Sequence, residues 1–95
     1  MSVYLVVDID VKDQVAYEEY RTLVPPIIEK YGGRYIVRGR KITPGEGEWD
    51  LHRVVILEFP STERATAMLI SEEYAPIAAM RHRAAVSGTF IVEGV

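Results

Sequence analysis

The chain has 95 residues, 48% of them apolar, with 11 Lys and Arg against 14 Asp and Glu for a formal net charge of -3. This length and apolar share suit one domain, residues 1–95, with a single core, and a negative chain offers no basic field to gather a nucleic-acid backbone. Cysteine is absent, which excludes a disulfide framework, a thiolate metal cluster and a cysteine nucleophile, and fits a cytoplasmic setting.

The stretch from Met1 to Asp8 lacks a basic lead-in, and its apolar run stops at acids, so it reads neither as a signal peptide nor as a membrane span. Instead Val3, Leu5, Val7 and Ile9 alternate with Tyr4, Val6, Asp8 and Asp10, predicting a strand whose centre is apolar on both faces. Asp13 is placed to cap a helix with apolar positions Ala16, Tyr20, Leu23, Val24, Ile27, Ile28 and Tyr31, spaced by threes and fours. Pro25 and Pro26 remove two backbone donors and crowd the preceding turn, which predicts a break or kink near Val24 before the helix resumes through Tyr31.

Gly32-Gly33 supplies a left-handed C-cap, and Arg34 to Ile42 then reads as a strand with Tyr35 and Val37 opposite Ile36 and Arg38. The turn-rich loop from Thr43 to Asp50 carries the chain's one Trp, Trp49. His52 to Phe59, with Val54-Val55-Ile56-Leu57 continuously apolar, predicts a central strand that Pro60 ends. Ser61 and Ser71 mark the starts of two short helices, the second closing at Arg81-His82-Arg83, and Thr89 to Glu93 forms a last strand. The order β-α-β-β-α-β predicts an α+β, ferredoxin-like domain: a four-stranded antiparallel sheet with helices on one face.

Helices on one face leave the other uncovered, where Val6, Ile36, Val54, Ile56 and Ile91 are expected to lie. An apolar sheet face of this extent favours pairing, at about 25 cal/mol per Å² buried, so a sheet-to-sheet homodimer is expected. The alternative is that the 43–50 loop and the C-terminus fold over this face.

Tyr17-Glu18-Glu19-Tyr20, Pro25-Pro26, Tyr31-Gly32-Gly33-Arg34-Tyr35, Arg38-Gly39 and Leu57-Glu58-Phe59-Pro60, in this order and spacing, resemble the domain-of-unknown-function 1330 family over essentially the whole chain. The resemblance implies a dimeric α/β barrel in which the sheets of two ferredoxin-like protomers pack together. Relatives of that architecture include cofactor-free monooxygenases and stress-response proteins, while the family has no established activity. Met68-Leu69-Ile70 departs from the aromatic residues more usual there, which alters any pocket lined by it.

With the fourth, first, third and second strands side by side, Asp8, Arg38 and His52 would become neighbours on the face away from the helices. Asp10 and Arg40 would lie beside them, Val6, Val54 and Ile56 would form an apolar floor, and Trp49 would overhang it as a lid. In a functional reading Asp8 or His52 is a base and Arg38 clamps a small carboxylate or enolate. In a structural reading Asp8 and Arg38 form a cross-strand ion pair beside a solvated His52. Glu58, expected near Tyr4 and Arg34, either has a raised pKa or pairs with Arg34. Tyr17, Tyr20, Tyr31 and Tyr35 either stack a flat ligand or belong to the core.

No cofactor and no metal are expected. His52 and His82 lack paired ligand spacing, no Gly-rich phosphate loop carries its Lys, and Val86-Ser87-Gly88-Thr89 lacks the nucleophile elbow. Three functions stand open: a small-molecule binder with its pocket between the sheet face and the dimer partner, a non-enzymatic structural or regulatory dimer, and a cofactor-free monooxygenase-like enzyme.

Overall fold

The computed structural model describes all 95 residues. Its elements are β1 (Val3–Val11), α1 (Gln14–Lys30), β2 (Arg34–Arg38), β3 (Val54–Phe59), α2 (Thr62–Leu69), α3 (Ala75–Ala84) and β4 (Ala85–Glu93). The strands form one sheet in the order β2-β3-β1-β4, every neighbouring pair antiparallel. No helix is long and apolar enough to cross a membrane.

The period-two pattern of β1 divides the molecule. Val3, Leu5, Val7 and Ile9 are buried against Tyr17, Tyr20, Val24 and Ile28 of α1, Ala65 and Met68 of α2 and Ala84 of α3, and this is the core. Tyr4, Val6, Asp8 and Asp10 face the other way. Val6 lies opposite Ile56 on one side and Phe90 on the other, so the open face has an apolar centre. Ile91, expected on this face, lies opposite Leu5 and packs against the core; Phe90 takes its place and is 58% exposed in the single chain.

The local signals at the helix ends act as their chemistry requires. Asp13 accepts from the Ala16 backbone N–H and Ser61 from that of Arg64, each capping a helix start. Gly32 adopts φ of 83°, and the Gly32 and Gly33 N–H groups reach back to the carbonyls of Glu29 and Ile28, closing α1 in a Schellman arrangement.

Three expectations are corrected. α1 runs unbroken through Pro25 and Pro26, because Val24 and Ile28 on either side of them are buried in the core, and tertiary burial offsets the donors lost to the two rings. β2 ends at Arg38, where Gly39 turns the chain away at φ of 70°, so the irregular connection to β3 is longer than the 43–50 segment. β4 starts at Ala85, directly after α3, rather than at Thr89.

Candidate functional site

The structure brings together part of the cluster expected at the polar end of the open face. His52 lies beside Asp8: its backbone N–H donates to Asp8 Oδ1 at 2.8 Å, and its Nδ1 stands 3.0 Å from Oδ2. His52 Nε2 is 3.5 Å from Asp50 and 3.7 Å from Asp10. No group of acidic residues and histidines here is arranged to hold a metal ion. Trp49, 77% exposed, stands over Gly47 in the loop.

Arg38 is not part of this cluster. A β-bulge between Tyr35 and Val37 places Val37 opposite Ile56 and Arg38 opposite Val55, so strict alternation fails and Arg38 emerges on the helix side with Tyr35. Its guanidinium lies 4.2 Å from the centre of the Tyr35 ring. Counting alternately from Ile36 puts Arg38 on the wrong face. Glu58 does meet Arg34, with Nε to Oε1 at 2.6 Å, and lies 3.4 Å from the Tyr4 hydroxyl. The Arg34 hydrogen bond holds the Glu58 carboxyl below its ordinary pKa, the reverse of the raised value considered for it.

The Asp8 hydrogen bond raises His52 above its ordinary 6.5. Partial burial pushes Asp8 upward, but its hydrogen bonds from the His52 ring and backbone outweigh this and leave it below 3.8. A raised His52 contributes stability that is complete below about pH 6.5 and is lost as pH rises through the raised value. A lowered Asp8 contributes above about pH 4 and fades as pH falls through the lowered value. Asp8→Asn is therefore expected to bring the His52 midpoint down in an NMR titration and to flatten thermal stability between about pH 6 and 8. An unmoved midpoint would show that the pair does not form in solution.

A partly enclosed cleft lies on the opposite side of the sheet, between the helices and strands β1 to β3. Its cavity volume is about 40 Å³, a narrow crevice between helices and sheet that a bound molecule would have to widen. Its floor is apolar, with Leu5, Val7, Val55, Leu57, Val24 and Met68 among the residues that line it. Four tyrosines and four arginines supply the polar groups: Tyr17, Tyr20, Tyr35 and Tyr74 with Arg21, Arg38, Arg53 and Arg81. No carboxylate and no histidine lines it. The mouth is marked by exposed Arg38 and half-buried Arg21 and Tyr35; the inner end is formed by buried Tyr20, Tyr74 and Arg81.

Burial raises the phenols of Tyr17, Tyr20 and Tyr35 above their ordinary pKa, Tyr20 most strongly and with help from neighbouring Tyr74. They stay protonated at neutral pH and present hydroxyl donors. Arg81 Nη1 donates to the Tyr74 hydroxyl at 2.8 Å, and Arg53 lies 5.3 Å from the centre of the Tyr17 ring. The cleft therefore has guanidinium and hydroxyl donors around an apolar floor, and no side chain that exchanges a proton near neutrality. Such a site is suited to hold negative charge on a bound molecule and poorly equipped to remove a proton from it.

Sequence reading missed Arg21, Arg53, Arg81 and Tyr74, and weighed Tyr17, Tyr20 and Tyr35 as either stacking or core residues; Tyr17 and Tyr20 are buried in the core and Tyr35 packs against it. One signal was present: Tyr74 and Arg81 are seven positions apart, two helical turns, so a buried Tyr74 carries Arg81 onto the same inward stripe.

The model of a family described as a domain of unknown function, DUF1330, matches residues 2–95. No curated protein matches the chain. Among solved structures, 99% of the chain is similar to 82% of RPA0582, a protein of unknown function from Rhodopseudomonas palustris, with a TM-score of 0.79 and 21% identity. A dimeric ferredoxin-like protein of unknown function from Jannaschia sp. CCS1 matches 99% of the chain over its whole length, with a TM-score of 0.72 and 11% identity. SnoaB, a cofactor-independent oxygenase from Streptomyces nogalater, matches 99% of the chain over 93% of its own, with a TM-score of 0.68 and 13% identity. These similarities show a shared ferredoxin-like fold.

Proposed function

Because the chain belongs to the DUF1330 family, whose description carries no activity, we propose from the geometry that the protein binds a small organic molecule in its helix-side cleft and pairs with a second copy through the open sheet face. The observation that carries the first part is the apolar cleft with donors at its mouth and inner end and no carboxylate in its wall. The pairing is supported by the exposed apolar centre of Val6, Ile56 and Phe90, and by similar structures described as dimeric. The ligand site proposed here is thus distinct from a pocket between sheet and partner. Asp8, His52 and Glu58 lie on the face that pairs, where their ion pairs would orient one copy against the other, and Arg38 stands at the mouth of the cleft.

The test is a two-dimensional NMR titration with ring-sized aromatic and short aliphatic fragments. Resonances of Tyr20, Val24, Leu57 and Met68 are expected to shift. Shifts confined to Val6, Ile56 and Phe90 would move the site to the paired face, and no shift anywhere would favour a purely structural or regulatory dimer.

A second reading, a cofactor-independent oxygenase, has in its favour the shared fold with SnoaB and the donor-rich cleft, which would stabilise an oxyanion on a substrate that ionises readily. Oxygen uptake with a panel of quinols, compared with the protein-free rate, decides it.

A further inference from the structure

We infer that the ligand of this cleft is an organic carboxylate whose charged group is held by Arg81 at the inner end and whose apolar body lies on the floor. The inference rests on the reading that the cleft is the binding site, and it concerns what that site selects. Every acidic partner in the molecule's ion pairs lies elsewhere: Asp8, Asp10 and Asp50 with His52, Asp10 with Lys12, Glu58 with Arg34, Glu73 with Lys30 and Glu18 with Arg21. Of the four cleft arginines only Arg21 has a carboxylate partner. Arg38, Arg53 and Arg81 have none, although acids outnumber bases in the chain.

Arg81 is the decisive one. It is 8% exposed, its Nη groups reach the Tyr74 hydroxyl and His82 Nε2, the Tyr20 phenol stands against it, and its buried Nε has no hydrogen-bond partner. A buried guanidinium without a counter-charge and with an orphaned donor is a costly arrangement, and an incoming anion relieves both defects. Nε and a neighbouring Nη form the planar fork that donates to both oxygens of a carboxylate. The apolar floor argues for an organic body rather than a bare oxyanion. The Tyr17 and Tyr20 rings, 5.7 Å apart and tilted by 31°, offer that body aromatic surface.

The experiment uses the whole protein and matched pairs of probes: benzoate against benzyl alcohol, hexanoate against hexanol, and inorganic phosphate alone, each followed by NMR shifts of cleft residues. The carboxylates are expected to bind at least about tenfold tighter than their alcohols, and Arg81→Met to abolish that preference while the alcohols still bind. Arg81→Lys should restore part of it. Should R81M fail to fold, Tyr74→Phe, which removes the hydroxyl that orients Arg81, supplies the comparison with a smaller loss. Equal binding of acid and alcohol in the cleft overturns the carboxylate inference and leaves the site intact. Phosphate binding as tightly as benzoate overturns the organic body. Binding of every probe outside the cleft sinks the site itself.

Discussion

If two copies pair through the open sheet face as proposed, Val6→Glu is expected to leave a folded monomer. Val6 lies in β1, flanked on the open face by Ile56 of β3 and Phe90 of β4. The apolar surface continues along exposed Ile36, Val86 and Val92. In a single chain the new carboxylate would be solvated, so folding is spared. In a sheet-to-sheet pair it would be buried without a counter-charge, a penalty of several kcal/mol that weakens association by at least about a thousandfold. Sedimentation velocity should show the mass of one chain in place of two, with an unchanged circular dichroism spectrum. A dimer of undiminished affinity would mean that the copies meet through another surface.

Phe59→Ala is expected to lower folding stability by about 3–5 kcal/mol, read as a melting temperature depressed by roughly 15–30 °C. Phe59 is fully buried at the end of β3. Its neighbourhood is built to its shape: a Cβ at Gly33 would stand 2.7 Å from the ring and 2.9 Å from Ile28, so the backbone after α1 comes close to Phe59 because residue 33 has no side chain. Removing the ring leaves a cavity that this tight turn is badly placed to fill, because the Schellman closure fixes the chain on either side of it. A loss below about 1.5 kcal/mol would show that the surroundings collapse into the space instead.

Most of the architecture was legible because its determinants are local and periodic. Alternation in β1, the continuous apolar run of β3, the side-chain caps at Asp13 and Ser61 and the glycine at the end of α1 each act over a few residues, and each forms where it was expected. The contact between Glu58 and Arg34 also follows from strand order alone. Alternation failed where a bulge interrupts it. Beyond Ile36 the parity of β2 reverses, and Arg38 passes from the expected cluster to the far side of the sheet. The prolines of α1 misled for a different reason: their local cost is real, but the buried residues flanking them set the outcome.

By itself, then, the sequence determined the element order, the antiparallel sheet and an apolar face that asks to be covered, since these follow from spacing along the chain. Only the tertiary structure decided where charge gathers. A net charge of -3 conceals a cleft walled by Arg21, Arg38, Arg53 and Arg81 with no acid among them, while Asp8, Asp10 and Glu58 stand on the opposite face of the sheet. Those arginines come from the middle of α1, the end of β2, the residue before β3 and the last turn of α3. No spacing relates them, and they meet because α1 and α3 pack over a sheet whose third and second strands bring residues 53 and 38 to the same side.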